Sequence, residues 1–425
     1  MFKKAIGKYL GLTLAAVLML SACTKAGPTE DPAVVLEKAI TQASKMYEAK
    51  TTMDMAFTNP DTKESGKVNI IMNEKTNAKD AKNMQSEVAM DVNADIQIKQ
   101  PETGAETSKK GALGQILVNM AGNFKVSGDD LYASLTKLEI KGDFEGVKEV
   151  NAMLPLFVGP YMNETVHLPL DKLSPIMEKA NAQLESEGQP AVDYEALKAY
   201  GAEGMPKDLA DSKMLVVSKD NGLEKVKGLS GESVQAYHYK VALDSKGFET
   251  FLKKFNEKTK MIPAEELTQI FAKKEGEPGF AEAMDVVNEA MDIQIWIGQA
   301  DYHVYKMEIG TDNAKLIAAV DKIRKIDKTA NITDEDIKLL KEGKIEFKVM
   351  VESSPLKSFS VEKPTDKNII DLGPMLEMAT KGVMEQMPTA GETTDTEMSE
   401  EDMQKMMESL NAPATPKNVT APAAQ

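Results

Sequence analysis

The stretch Val88–Ile98, VAMDVNADIQI, alternates apolar and polar residues for eleven positions without a break. Val88, Met90, Val92, Ala94, Ile96 and Ile98 fall on one side of an extended chain, and Ala89, Asp91, Asn93, Asp95 and Gln97 on the other. No helix can place such a set on a single stripe, because its period is 3.6 rather than 2. The segment therefore demands an antiparallel sheet with one wet face, since parallel strands are covered on both sides and read as continuous apolar runs.

Strand patterns recur around it. Thr51–Phe57, the turn Asn59-Pro60-Asp61 and Val68–Met72 predict a hairpin, and Leu113–Val126 and Leu131–Leu138 predict two further strands. From about 144 to 209, prolines at 155, 160, 169, 175, 190 and 206 break the chain into short segments read as a helical insertion. Strands return at Met214–Ser218, turned by KDNG, and at Val234–Leu243. Helices are predicted from Pro32 with Asp31 as N-cap, and after Asp244 with a stripe of Phe248, Phe251, Leu252 and Phe255. More follow over 263–271, 280–290 and 314–326, with a short one capped by Thr333. Asp371–Met387 and Ser399–Leu410 read as Met-rich amphipathic helices, and the final NAPATPKNVTAPAAQ is compositionally disordered.

Cys23 is the single cysteine of 425 residues. It can form no internal disulfide. Lys3, Lys4 and Lys8 precede an apolar run from Tyr9 to Leu20, and no acid occurs before Glu30, which is the layout of a secretory signal. The run is too short for a bilayer span, which takes roughly 20 residues. Leu20-Ser21-Ala22-Cys23 resembles the lipobox of bacterial lipoproteins. That resemblance implies recognition of Leu20, Ser21 and Ala22, cleavage before Cys23, and acyl chains on Cys23 as the membrane anchor. Thr24 after the cysteine, rather than aspartate, implies an outer membrane where a cell has two. The expected protein is exported and lipid-anchored, with a signal peptide over 1–22 and a tether over 23–31.

Without residues 1–22 the chain holds 48 basic and 67 acidic residues, a formal charge of −19. Such a body is repelled by nucleic acid and by anionic headgroups, so no nucleic-acid partner is expected.

YHYKVALD at 237–244 running straight into a helix, DIQIWIGQADYHVYKMEI at 292–309, and the closing KIEFKVMVE at 344–352 carry a second resemblance. Their order resembles the LolA/LppX-like lipoproteins and lipid carriers. It implies an α+β fold in which a curved antiparallel sheet, a half-barrel, wraps around helices with a lipid between them. The match spans 32–363, leaving 364–425 as a Met-rich addition.

Catalytic and metal chemistry find little footing. His167, His238 and His303 have no partners at metal-ligand spacing. His238, in phase with Lys240, is expected on a solvated face, and His303, in phase with Met307, in a partly buried position. Asp91-x-Asn93-x-Asp95 with Glu102 has part of a calcium-loop pattern, but Ile96 stands where the turn needs glycine. GLSGE at 228–232 lacks the context of a nucleophile elbow, and no phosphate-binding glycine loop occurs. The expectation is a non-enzymatic lipoprotein without cofactor or metal, holding a lipid or other apolar ligand. Two alternatives remain: a surface interaction protein whose Met-rich tail contacts a protein partner, and a solute-binding receptor of a transporter. The 27 methionines suit either adaptable binding surface or gap-filled core.

Overall fold

A computed structural model of the chain describes residues 30–42, 45–80, 83–99, 113–142, 158–173, 200–272, 279–327, 332–365 and 369–374, with Leu376 and parts of 147–154. The chain divides into two units, 1–376 and 377–425, and all that follows belongs to the first. Leu20, Ser21, Ala22 and Cys23, the 23–29 part of the tether, and nearly all of both Met-rich segments lie outside the described residues.

Twelve strands form one sheet. Five come first: β1 (Met46–Thr58), β2 (Ser65–Asn77), β3 (Gln85–Lys99), β4 (Leu113–Ser127) and β5 (Asp130–Gly142). Then come β6 (Thr165–Pro169), β7 (Leu215–Lys227), β8 (Ser233–Leu243), β9 (Asp292–Gly298), β10 (Val304–Asp312), β11 (Lys344–Pro355) and β12 (Ile369–Asp371). Their order is β12-β6-β5-β4-β3-β2-β1-β11-β10-β9-β8-β7, so the sheet is open, with β12 and β7 as its edges. Every pairing is antiparallel except that of β12 with β6. The fold is thus mixed α+β, and a parallel-stranded receptor scaffold is not what these strands build.

Among the described residues the α-helices are α1 (Pro32–Thr41), α2 (Met205–Ser212), α3 (Ser245–Thr259), α4 (Ala264–Phe271), α5 (Phe280–Ala290), α6 (Asn313–Ile326) and α7 (Asp334–Glu342). Their starts follow local chemistry. The Asp31 carboxylate accepts from the Ala33 amide at 2.8 Å, and Pro32 occupies the first turn, where no amide hydrogen is needed. Asp244 accepts from Gly247 N at 2.7 Å and Asp312 from Lys315 N at 2.9 Å, while Thr333 and Asp336 form a reciprocal capping box.

Helices gather at one end of the strand order: α1 packs on β7 and β9, α5 on β8, α6 on β10 and β11, and α7 on β11. Between them and the sheet lies the principal core, in which Tyr239, Ile295, Ile297, Ile309, Leu252, Met284 and Val349 are at most 1 % exposed. Burying each aliphatic side chain of this kind contributes about 1.5–3 kcal/mol. The protein's own side chains make up this core.

Two expectations change. The stretch 144–209 contains β6, which joins the sheet beside β5. Its five residues, flanked by prolines at 160 and 169, are too short to register a period of two. KDNG does not turn the chain either. Asp220 to Gly222 lie within β7, where the register against β8 shifts, and the Asp220 carboxylate accepts from Gly222 N at 2.8 Å. A glycine at φ +86° absorbs the extra residues of such a bulge without strain. The hairpin turn is GLSGE instead: Gly228 N donates to Glu232 O, and Gly231 also takes φ +86°.

Candidate apolar binding face

The sheet registers turn separate strand patterns into one surface. Val241 lies opposite Ile293, which lies opposite Ile309, then Val349, Met53, Ile70, Val92, Met120 and Leu138. A second row runs from Tyr239 through Ile295, Met307, Val351, Thr51, Met72 and Met90 to Gly122 and Leu135. A third joins Phe347, Met55, Val68, Ala94, Val118 and Ile140. One apolar face therefore crosses nine strands.

Its burial is not uniform. Val241 and Ile293 are 4 % exposed, and Ile309 and Val349 are 1 % exposed, beneath the helices. Met53, Ile70, Val92, Met120 and Leu138 continue the same row but are only half-buried. Among the described residues, no apolar side chain between Ala49 and Tyr132 is buried, and at the ends of this face Phe57 is 43 % and Phe124 38 % exposed. Four inter-strand steps from β1 to β5 span about 19 Å, and the ten from Val88 to Ile98 along β3 about 33 Å. A partly accessible apolar surface of this extent is a candidate binding or partner surface. Close strand approach is preserved at Gly122, where a Cβ would stand 2.9 Å from the Ser134 carbonyl oxygen.

The opposite face is wet. Asp91, Asn93 and Asp95 are exposed along β3, with the Asp95 carboxylate accepting from the Gln115 side chain at 2.8 Å, and Glu102 lies outside the described residues. A groove of about 500 Å3 on this side is lined by Asp54, Lys67, Asn69, Asn93, Asp95, Asn119, Lys344 and Lys348. Ala56 and Leu117 lie among these polar groups in its wall. A second groove of about 540 Å3 runs between α1 and β7.

One carboxylate interrupts the apolar face. Glu74 stands opposite Ala49 on β1 and Val88 on β3, two residues beyond Met72. Its Oε1 accepts from the Tyr47 hydroxyl at 3.1 Å and from the Thr76 hydroxyl at 2.6 Å. Burial and the neighbouring carboxylate push the Tyr47 hydroxyl above the usual phenol range.

The three histidines are dispersed. His303 is completely buried; its Nε2 meets the Ser353 hydroxyl oxygen at 3.0 Å, while Ser353 spends its own proton on the Glu48 carbonyl. Nε2 must then be the protonated nitrogen, and Nδ1 is left buried with no hydrogen-bond partner. Desolvation lowers this imidazole to about 4. His238 is not on a solvated face: its ring stacks on Trp296 at 4.2 Å, with Lys306 Nζ 4.5 Å from the indole centroid. The indole N–H donates to Glu224 at 2.9 Å, so the strand neighbours build a small packed patch outside the sheet that alternation alone does not reveal. His167 lies between Asp130, 2.9 Å from Nε2, and Asp371, 3.2 Å from Nδ1, and stacks on Tyr132. Lys363 also bonds Asp130, holding that carboxyl below its usual range together with His167. No cluster of three or more metal-ligating side chains forms among the described residues.

The chain matches no family model and no curated protein. What it does must be argued from the face itself. Among the described residues, no helix is long and apolar enough to cross a membrane. Sequence periodicity identified the apolar face strand by strand. It missed Glu74, which breaks the pattern of β2 and signals only when the register sets it among apolar neighbours.

Proposed function

We propose that this chain is an exported, lipid-anchored, non-catalytic lipoprotein that holds or carries a lipid or other apolar molecule. Its anchor is Cys23, recognised through Leu20, Ser21 and Ala22, and its body is a LolA/LppX-like half-barrel. The observation that carries the ligand part is the row Met53–Ile70–Val92–Met120–Leu138, continuous with the core yet left half-buried. In this reading the ligand lies on β1–β5, beside the helix-covered half, where the corresponding side chains are packed into the core. Methionines at 53, 55, 72, 90 and 120 make the surface deformable, which suits acyl chains of differing shape.

The test is native mass spectrometry of full-length protein extracted from membranes, beside Val92→Gln and Met120→Gln variants. Wild-type protein is expected to carry lipid beyond its own acyl groups, and each variant to retain less than a third of it at unchanged circular dichroism. Equal lipid content in all three, or none in any, would refute the assignment.

A further inference from the structure

We infer that Glu74 is the polar anchor of this face, and that the molecule taken there is an amphiphile with a primary ammonium head. The inference rests on the apolar-face reading above and adds the chemistry of the ligand's polar end.

Along β2 the residues on the apolar face are Val68, Ile70, Met72, Glu74 and Thr76. A carboxylate in that phase has Ala49 and Val88 as cross-strand neighbours, and Val88 in turn faces Phe124 on β4. The surroundings are hydrocarbon on three sides and hydroxyl on the fourth.

The hydroxyls are ordered by their protons. Thr76 donates to Glu74 and lies 3.0 Å from Ser86, so Ser86 must be the donor of that bond. Tyr47 donates from β1. All three protons thus point along the network toward Glu74 Oε1, which leaves Oε2 as the acceptor at its end. Oε2 takes no hydrogen bond and no cation of the protein, and it is not sealed from solvent. Glu30, Asp292 and Glu308 are paired with lysines, whereas Glu74, like Glu64, Glu232 and Asp301, meets none among the described residues; of these Glu74 is the one on the apolar face of β1–β5.

A pre-oriented carboxylate oxygen at the margin of hydrocarbon is matched by a charge-assisted donor. An ammonium supplies three N–H groups and the complementary charge. A phosphate or carboxylate head would be repelled there, and the charge of −19 after residue 22 adds to that repulsion from a distance. A hydroxyl head would be accepted more weakly, as a neutral donor.

Three twelve-carbon probes that differ only at the head decide the matter: dodecylamine, dodecanol and dodecanoate, titrated below their micelle concentrations into the delipidated full chain by calorimetry. Dodecylamine is expected to bind at least tenfold more tightly than the other two, a difference of about 1.4 kcal/mol. Glu74→Gln should bring it to the level of dodecanol and leave dodecanol unchanged. Tyr47→Phe, which retains the carboxylate and removes one donor to it, should keep the preference, and it serves as the folded control if Glu74→Gln proves unstable. Equal binding of the three heads, a preference for dodecanoate, or a preference that survives Glu74→Gln would overturn the role of Glu74 while leaving the apolar face intact. If no probe binds, the face reading fails, and this inference with it.

Discussion

His303 shows how much one side chain depends on its enclosure. Between Asp301 and Tyr305, with its ring fully covered, it can be neutral in the fold but not comfortably charged. Its folded value, about 4, lies below the ordinary imidazole value of about 6.5, so the unfolded chain binds the extra proton first as pH falls. The associated stability is complete above about pH 6.5 and is lost progressively toward pH 4, by about 3 kcal/mol in all. Urea titrations across that interval should show the decline, and His303→Gln should flatten it. An equally steep decline in the variant would place the acid sensitivity elsewhere. The sequence indicated a partly buried histidine from its phase; in the fold it is completely buried, against the Tyr305 ring and the Ser353 hydroxyl.

Among elements, β12 is the least self-sufficient, with three residues paired to β6 at the sheet edge. After β11 the chain passes over strand ends, where Phe359 O accepts from Asn77 and Val361 N donates to Gln85, before reaching β12. His167 joins β5, β6 and β12 through Asp130 and Asp371. Each ring nitrogen thereby reaches a carboxylate on a different neighbouring strand. His167→Leu should therefore loosen β12, and amide exchange at Leu372, whose N–H donates to the His167 carbonyl, should accelerate tenfold or more. Unchanged protection would show that backbone pairing suffices. The helices and the long strands were legible because each spans several periods, and their caps are local. β6, β12 and the β7 bulge were not, since three to five residues carry no period and their pairing partners are distant in sequence.

For the whole molecule, the proposed anchoring and the proposed ligand holding can be tested separately. Replacing Cys23 by alanine is expected to move the protein from the membrane to the soluble fraction, with the mass of the diacyl group absent, and to leave the sheet intact. If Cys23→Ala protein still sediments with membranes, the body itself must bind them.

The sequence by itself determined which residues share a face of each strand, because alternation is a property of a single extended segment. It also determined where helices begin, through caps made within one turn, and it contains the Leu20–Cys23 pattern that suggests export. Beyond the β1–β2 hairpin, which strands are neighbours was decided only by tertiary structure, and with it the joining of Val241 to Leu138 in one row. Tertiary structure alone also decided that helices cover β7–β11 while β2–β5 stay half-buried, and that Glu74 stands among apolar neighbours. The physical reason is that covering a face requires elements far away in the chain, and no local pattern records which half of a shared surface those elements will reach.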